Sequence, residues 1–143
     1  MTEDVPSLKT FGLTFDHFGL ATQSPDRALA FLRGLGHQPG DAVYDPLQKV
    51  NLVFCPSTEM PAVEVIFPGD ESGPLTNILA DRHDSMYHLC YRSSDVDASV
   101  TAMKKAGHRV VQVAAPQPAI LFGGRRVSFY IVRGFGLIEI LEN

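Results

Sequence analysis

The feature of this 143-residue sequence that most constrains its fold is an internal repeat with an offset of 71 residues. Shifting the chain by this offset superposes seven landmarks without a gap. They are His17 and His88, Ser24 and Asp95, Asp26 and Asp97, Leu29 and Val100, Arg33 and Lys104, Gly36 and Gly107, and His37 and His108. The period is too long for a solenoid, whose repeats recur at roughly 20 to 50 residues. The repeat therefore predicts two tandem units, each with the order strand, helix and three strands.

Two segments at equivalent positions of the repeat predict helices. Ser24 is a suitable N-cap, and Pro25 fits the first helical position, where a missing N–H has no consequence. Glycines 34 and 36 are expected to end this helix. The second helix is predicted to begin near residues 94–95 and to end at Gly107.

The remainder of the chain is mostly strand-like, with runs rich in β-branched and aromatic residues. The predicted strands cover residues 13–22, 49–55, 62–67, 87–92, 109–113, 126–132 and 137–141. A polar connector separates the halves, and we expect a short helix within residues 74–82. The sequence thus predicts one domain over residues 1–143, with a first module at about 13–67, a connector at 68–84 and a second module at about 85–142.

Composition limits the function of the chain. About 45% of the residues are apolar, 20% are charged and the net charge is −4, with no basic block. Nucleic acids and anionic membranes are therefore not expected as partners. No apolar run approaches the roughly 18 to 20 residues that span a bilayer, and residues 1–9 lack signal-peptide features. We expect a cytoplasmic protein with a small-molecule substrate, in which Cys55 and Cys90 are reduced core thiols.

Four side chains in the strands form a candidate site. His17 and His88 occupy equivalent positions of the repeat, and Cys90 shares a strand face with His88 because alternate residues point the same way. The later strands each carry one carboxylate within an apolar run, Glu64 in the first half and Glu139 in the second. Burying such a carboxylate without a compensating partner costs on the order of several kcal/mol.

More than one arrangement could compensate these carboxylates. Each could face solvent, or form an ion pair with one of the nearby arginines, Arg125, Arg126 and Arg133. Two imidazoles and two carboxylates together also suit one divalent ion, either Zn, Mn, Fe, Co or Ni, and we favour this interpretation. His37 and His108 follow helix-stop glycines and are expected to be structural. His83 lies in the connector and is expected to be exposed.

Motifs along nearly the whole chain resemble the vicinal oxygen chelate superfamily, which includes glyoxalases, bleomycin resistance proteins and dioxygenases. Residues 15–21 are similar to its opening strand. Residues 63–68 and 86–89 resemble the middle of methylmalonyl-CoA epimerases. Residues 123–129 and 136–140 resemble the closing segment of that family. The resemblance is strongest for the superfamily and is closest to its epimerase branch.

The resemblance implies an α+β fold in which tandem βαβββ modules form a cup-shaped mixed sheet with helices on the outside. It implies one divalent metal ion in the cup, held by residues that match His17, Glu64, His88 and Glu139. It also implies a homodimer, and an epimerase that removes the proton between two carbonyl-type oxygens of a 2-substituted malonyl-CoA through a metal-stabilised enolate. Glu139 is then a catalytic acid/base as well as a ligand.

One position departs from the epimerase pattern. Asn51 stands about where those enzymes carry a further glutamate, and an amide can hydrogen-bond an oxyanion but cannot remove a carbon-bound proton. The second acid/base group therefore stays open. Two other functions remain as alternatives, a glyoxalase-type isomerase or lyase acting on a thiol adduct and a non-catalytic protein that binds small molecules.

Overall fold

The computed structural model describes residues 10–81 and 84–143. The expectations for residues 1–9 and for His83 lie outside these ranges. Within them the chain forms eight strands and three helices, in the order β1 (Thr14–Ala21), α1 (Pro25–Gly34), β2 (Val43–Asp45), β3 (Val50–Cys55), β4 (Ala62–Pro68), α2 (Pro74–Asp81), β5 (Ser85–Ser93), α3 (Val96–Lys105), β6 (Val110–Pro118), β7 (Arg126–Val132) and β8 (Gly136–Glu142). A single 3-10 turn, Ile120–Phe122, lies between β6 and β7.

The predicted duplication is confirmed by the order of the elements. The bounds of α1 and α3 differ by the same 71 residues that relate the two histidines. The two helix starts differ in chemistry. Asp95 caps α3 by accepting a hydrogen bond from the backbone N–H of Ala98, at 3.0 Å. Ser24 makes no side-chain cap. Its own N–H instead donates to the hydroxyl of Thr22, at 2.9 Å, so the predicted serine cap is wrong.

The two modules join edge to edge in one curled mixed sheet with the strand order β2-β3-β4-β1-β5-β8-β7-β6. The first strands of the modules, β1 and β5, pair antiparallel at the centre. Each of them pairs in parallel with the last strand of its own module, β4 or β8. The sheet is therefore related to itself by a pseudo-two-fold axis between β1 and β5, and the modules pair within one chain.

Two helices lie outside the cup, as expected, and the connector helix does not. On the outer face, α1 packs against β3 and β4 through Leu32, and α3 packs against β7 and β8 through Met103. Leu75 and Leu79 of α2 instead pack against Leu52, Ile66 and Ala21 at one end of the concave face. No helix within the described ranges is long and apolar enough to cross a membrane.

The strand predictions missed two features at the edges of the sheet. The edge strand β2, which has only three residues, Val43–Asp45, pairs with β3 and was not predicted. The far edge strand, β6, runs on to Pro118 through a stretch rich in alanine and proline, because β7 supplies partners beyond two register shifts. In both strands a neighbour overrides a weak local preference. Cys55 and Cys90 are buried free thiols, as predicted.

Candidate metal centre

The four predicted ligands converge at the middle of the concave face. The Nε2 atom of His17 lies 3.4 Å from Oε1 of Glu139 and 3.7 Å from Oε2 of Glu64. The Nε2 atom of His88 lies 3.5 Å from the same Oε1 of Glu139. The ligand atoms of His17, Glu64 and His88 all lie within 4.8 Å of one another. A single point among these atoms can therefore be approached by two imidazoles and two carboxylates.

Three of these four polar atoms are buried without a hydrogen-bond partner among the described residues. The residues His17, Glu64, His88 and Glu139 are 0 to 4% exposed. Nε2 of His17, both ring nitrogens of His88 and Oε1 of Glu139 have no hydrogen-bond partner among the described residues. A buried polar atom without a partner costs about 1–3 kcal/mol. Three of these atoms, Nε2 of His17, Nε2 of His88 and Oε1 of Glu139, face one another, which is the arrangement expected of a ligand set for a cation.

Matched irregularities in the central strand pair set the positions of the two histidines. Between Phe15 and His17, β1 carries one extra residue, Asp16, and between Met86 and His88, β5 carries one extra residue, Tyr87. The two extra residues are related by the repeat offset. A β-bulge of this kind re-aims the side chains next to it. Each histidine is thus preceded by a bulge residue whose side chain contacts its ring.

A wall of aromatic side chains surrounds the histidine rings. Phe122, from the 3-10 turn, stacks on His17 with ring centroids 5.4 Å apart and an interplanar angle of 23°. Phe54 of β3 meets the same ring edge-on at 5.7 Å, and Phe129 of β7 meets the ring of His88 at 5.5 Å. The four ligands therefore lie in an apolar, low-dielectric setting, where each charge interacts more strongly than in water.

The charges of the cluster shift the pKa values of its members. Burial alone would lower the pKa of His17, but the carboxylates of Asp16 and Glu139 beside the ring raise it to about 9. Burial, reinforced by the charge of Glu139, raises the pKa of Glu64 to about 8. Burial would also raise the pKa of Glu139, but the two histidines outweigh it and lower that pKa to about 2. The metal-free cluster thus retains protons near neutral pH that a metal ion would have to displace.

The other predicted partners lie elsewhere. Arg126 forms a two-point ion pair with Glu142 at the surface, with N–O distances of 2.7 and 3.0 Å. Nε of Arg125 donates to the carbonyl of Phe122. His37 is structural as predicted, since its Nε2 donates to the carbonyl of Pro61 at 3.0 Å. Arg125 and Arg126 therefore do not neutralise the buried carboxylates.

Asn51 does not point into the site. In the pairing of β3 with β4, Phe54 lies opposite Glu64, so alternate residues of β3 from Phe54 face the cup. Asn51 has the opposite parity and shares the outer face with Val53. Its side-chain amide donates to the carbonyl of Pro68 at 3.2 Å. In this position Asn51 cannot contact a group bound among the four ligands, which corrects the expectation that its amide hydrogen-bonds a substrate oxyanion.

A cavity of about 510 Å³ adjoins the site. Its lining is mostly apolar and comes from both modules and from α2, with Gln48 and Gln117 as its amides. Tyr87 and Phe129 line this cavity and also contact the ring of His88, with centroid distances of 4.6 and 5.5 Å. Its volume lies within the range of about 300–1,000 Å³ that is typical of small-molecule sites.

Sequence comparison agrees with this geometry. Residues 16–129 match the profile of the glyoxalase/bleomycin resistance protein/dioxygenase superfamily. The chain belongs to this superfamily. A curated superfamily relative, the ethylmalonyl-CoA/methylmalonyl-CoA epimerase of Cereibacter sphaeroides, is 28% identical over 131 residues, which is 87% of this chain and 94% of that protein.

Solved structures of similar fold are also found among epimerases of the superfamily. The methylmalonyl-CoA epimerase of Mycobacterium tuberculosis superposes with a TM-score of 0.73 at 23% identity, covering 96% of this chain and 91% of that one. A Streptomyces coelicolor methylmalonyl-CoA epimerase variant in complex with 2-nitronate-propionyl-CoA superposes with a TM-score of 0.68 at 22% identity, covering 92% and 98%. At these identities the likeness establishes the fold.

The pKa shifts predict how the stability of the metal-free protein depends on pH. The pKa of His17 rises from 6.5 to about 9 on folding, so its contribution is fully present below pH 6.5 and is lost as pH rises through 9. The raised pKa of Glu64 likewise contributes stability that is fully present below pH 4.5 and is lost as the pH rises through 8. In the presence of a chelator, we expect the metal-free protein to unfold at steadily lower temperatures as the pH rises from about 6.5 to 9.

A metal ion should reverse this trend, since it binds deprotonated ligands and therefore binds more tightly as pH rises. Thermal unfolding with excess chelator and with excess Zn²⁺, followed over the same pH range, measures both trends. If the stability of the metal-free protein stays flat or increases from pH 6.5 to 9, the pKa values of His17 and Glu64 are not raised as described.

Proposed function

We propose that this protein is a metal-dependent epimerase of 2-substituted malonyl-CoA thioesters. The observation that carries the proposal is the convergence of four buried ligand side chains, with unpartnered polar atoms, in an apolar cup beside a cavity of substrate size. The relatives named as methylmalonyl-CoA or ethylmalonyl-CoA epimerases support the choice of substrate class.

The donor set suits one divalent ion such as Co, Mn, Zn, Ni or Fe, because neutral imidazole and carboxylate oxygen are ligands shared by all of them. We propose that His17, Glu64, His88 and Glu139 hold this ion. When bound, it supplies Lewis-acid stabilisation of the negative charge that develops on substrate oxygens as the α-proton leaves. The removal and return of the proton are carried out by side chains of the protein.

We propose Glu139 as the group that accepts the α-proton. The two histidines keep its carboxylate ionised, since they lower its pKa to about 2 in the metal-free protein. Positioned carboxylates of this kind are common general bases, and such proton transfer typically contributes about 10²- to 10⁴-fold to rate. Glu139 is 3% exposed and lies opposite Phe129 and beside both histidines, which excludes water that would otherwise compete for the proton.

Inversion requires a second group that returns a proton to the opposite face of the substrate carbon. We propose Glu64 for this role. It comes from β4, the strand equivalent to that of Glu139, so the two carboxylates are related by the pseudo-two-fold axis. The two carboxylates meet at the ring of His17, whose Nε2 lies 3.7 Å from Oε2 of Glu64 and 3.4 Å from Oε1 of Glu139.

The proposal is tested by exchange of the α-proton in deuterated water. Chelated protein is reconstituted separately with Co²⁺, Mn²⁺, Zn²⁺ and Ni²⁺ and incubated with methylmalonyl-CoA or ethylmalonyl-CoA, and deuterium incorporation is followed by mass spectrometry. We expect at least one metal to accelerate incorporation well above protein-free and chelated controls.

Absence of metal-dependent exchange with both thioesters would overturn the proposal. Turnover of the hemithioacetal of glutathione and methylglyoxal by the same preparations would then support the glyoxalase-type alternative. Tight binding of a small molecule by the chelated protein, unchanged by His17→Ala, would support the non-catalytic alternative.

A further inference from the structure

The strand irregularity beside His17 places a second carboxylate on its ring. In a regular strand Asp16 and His17 would face opposite sides of the sheet. The extra residue in β1 brings them together, and Nδ1 of His17 donates to Oδ2 of Asp16 at 2.7 Å. Arg92 of the neighbouring strand forms an ion pair with Asp16, its Nε lying 3.2 Å from Oδ1.

This contact determines which nitrogen of His17 faces the cluster. A carboxylate accepts hydrogen bonds, so the ring carries its proton on Nδ1 when the imidazole is neutral. The lone pair then lies on Nε2, the atom that faces Glu64 and Glu139 and has no hydrogen-bond partner among the described residues. Carboxylate–histidine pairs of this kind fix the tautomer and orientation of metal-ligating imidazoles and raise their basicity.

The equivalent position in the other half lacks this chemistry. The second bulge residue, Tyr87, meets the ring of His88 edge-on at a centroid distance of 4.6 Å. Nδ1 of His88 has no hydrogen-bond partner among the described residues. The pseudo-two-fold axis therefore relates two histidines with different supports, one held by a carboxylate and one by an aromatic ring.

We infer that Asp16, in an ion pair with Arg92, is a positioning residue that holds His17 as a preorganised Nε2 ligand and makes His17 the stronger of the two imidazole ligands. The inference rests on the proposed metal site and adds to it a residue that acts through His17. It predicts unequal effects from changes at equivalent positions of the repeat.

The first test compares metal affinities by competition with a chromophoric chelator, using Zn²⁺ and Co²⁺ as probes. Asp16→Ala is expected to bind each metal about 10- to 100-fold more weakly, the usual effect of removing an outer-shell carboxylate. Asp16→Asn should recover much of this loss, because its amide oxygen still accepts from Nδ1. Tyr87→Phe, which keeps the ring, should change affinity little.

Asp84→Ala is the matched control, since Asp84 accepts a hydrogen bond from Thr22 near the other end of β1, at 2.8 Å. It removes a β1-supporting carboxylate without touching a histidine ring and should leave metal affinity unchanged. Thermal unfolding of each variant confirms that it is folded at the assay temperature.

A second readout is independent of activity and of affinity. In the Zn²⁺-loaded protein, proton NMR should show a downfield, slowly exchanging ring N–H that is absent from Asp16→Ala and retained in Asp84→Ala. Wild-type affinity in Asp16→Ala, with the downfield proton still present, would overturn the positioning role while leaving the metal site intact. A wild-type protein that binds neither metal would overturn both.

Discussion

A Glu139→Gln variant is expected to exchange the α-proton of methylmalonyl-CoA about 10²- to 10⁴-fold more slowly than the wild type, the range typical for loss of a general base. Both histidines direct Nε2 toward Oε1 of Glu139, at 3.4 and 3.5 Å, so this oxygen lies at the centre of the cluster. An amide of the same shape preserves packing but cannot accept the proton. The rate is measured by deuterium incorporation with each variant fully loaded with metal.

Glu142→Gln is the control for this change. It removes a carboxylate from the same strand, but Glu142 is directed to the surface, where it pairs with Arg126. We expect wild-type exchange from this variant. A Glu139→Gln protein that is saturated with metal and exchanges at the wild-type rate would exclude Glu139 as the base and leave it only a ligand.

A Gly19→Ala variant is expected to lose metal affinity and stability together. Gly19 lies opposite His88 in the pairing of β1 with β5, and the imidazole lies directly over its Cα. A methyl group at position 19 would lie 2.5 Å from both ring nitrogens of His88, which is closer than a Cβ atom approaches a non-bonded neighbour. The ring must move, and overpacking of this kind costs about 1–3 kcal/mol.

The matched control for this prediction is Gly34→Ala. Gly34 ends α1 with an ordinary φ and open space around the position of a new Cβ, so alanine there should be neutral or slightly stabilising. Chelator competition measures metal affinity, and urea unfolding of the metal-free proteins measures stability. If Gly19→Ala binds metal as tightly as the wild type, His88 is not held against Gly19 as a ligand.

The repeat and the strand patterns explain why much of the fold, and the meeting of four side chains in the cup, could be predicted. His17 and His88 share one offset, and the same offset relates the bounds of α1 and α3. Glu64 and Glu139 stand out because each interrupts an apolar strand, and a buried charge requires a partner. These predictions depend on local pattern and on internal symmetry, and both can be recognised in the sequence.

The features that escaped prediction depend on register and on distant contacts. Alternation along β1 places Asp16 and His17 on opposite faces, and only the extra residue in the pairing with β5 brings them together. Asn51 failed for the same reason, because a difference of one residue moves a side chain to the other face of a sheet. Phe122 reaches His17 from another module, through a 3-10 turn that carries no strand or helix pattern.

The measurement that tests this account most directly is the metal content of the purified protein beside a His88→Ala variant, after reconstitution with Zn²⁺, Mn²⁺, Co²⁺ and Ni²⁺ and removal of free ion. We expect about one equivalent of a divalent metal per wild-type chain, as is usual for a single four-ligand site, and little in the variant. A wild-type protein that retains none of the four metals, or a variant that retains as much as the wild type, would contradict a metal centre built from His17, Glu64, His88 and Glu139.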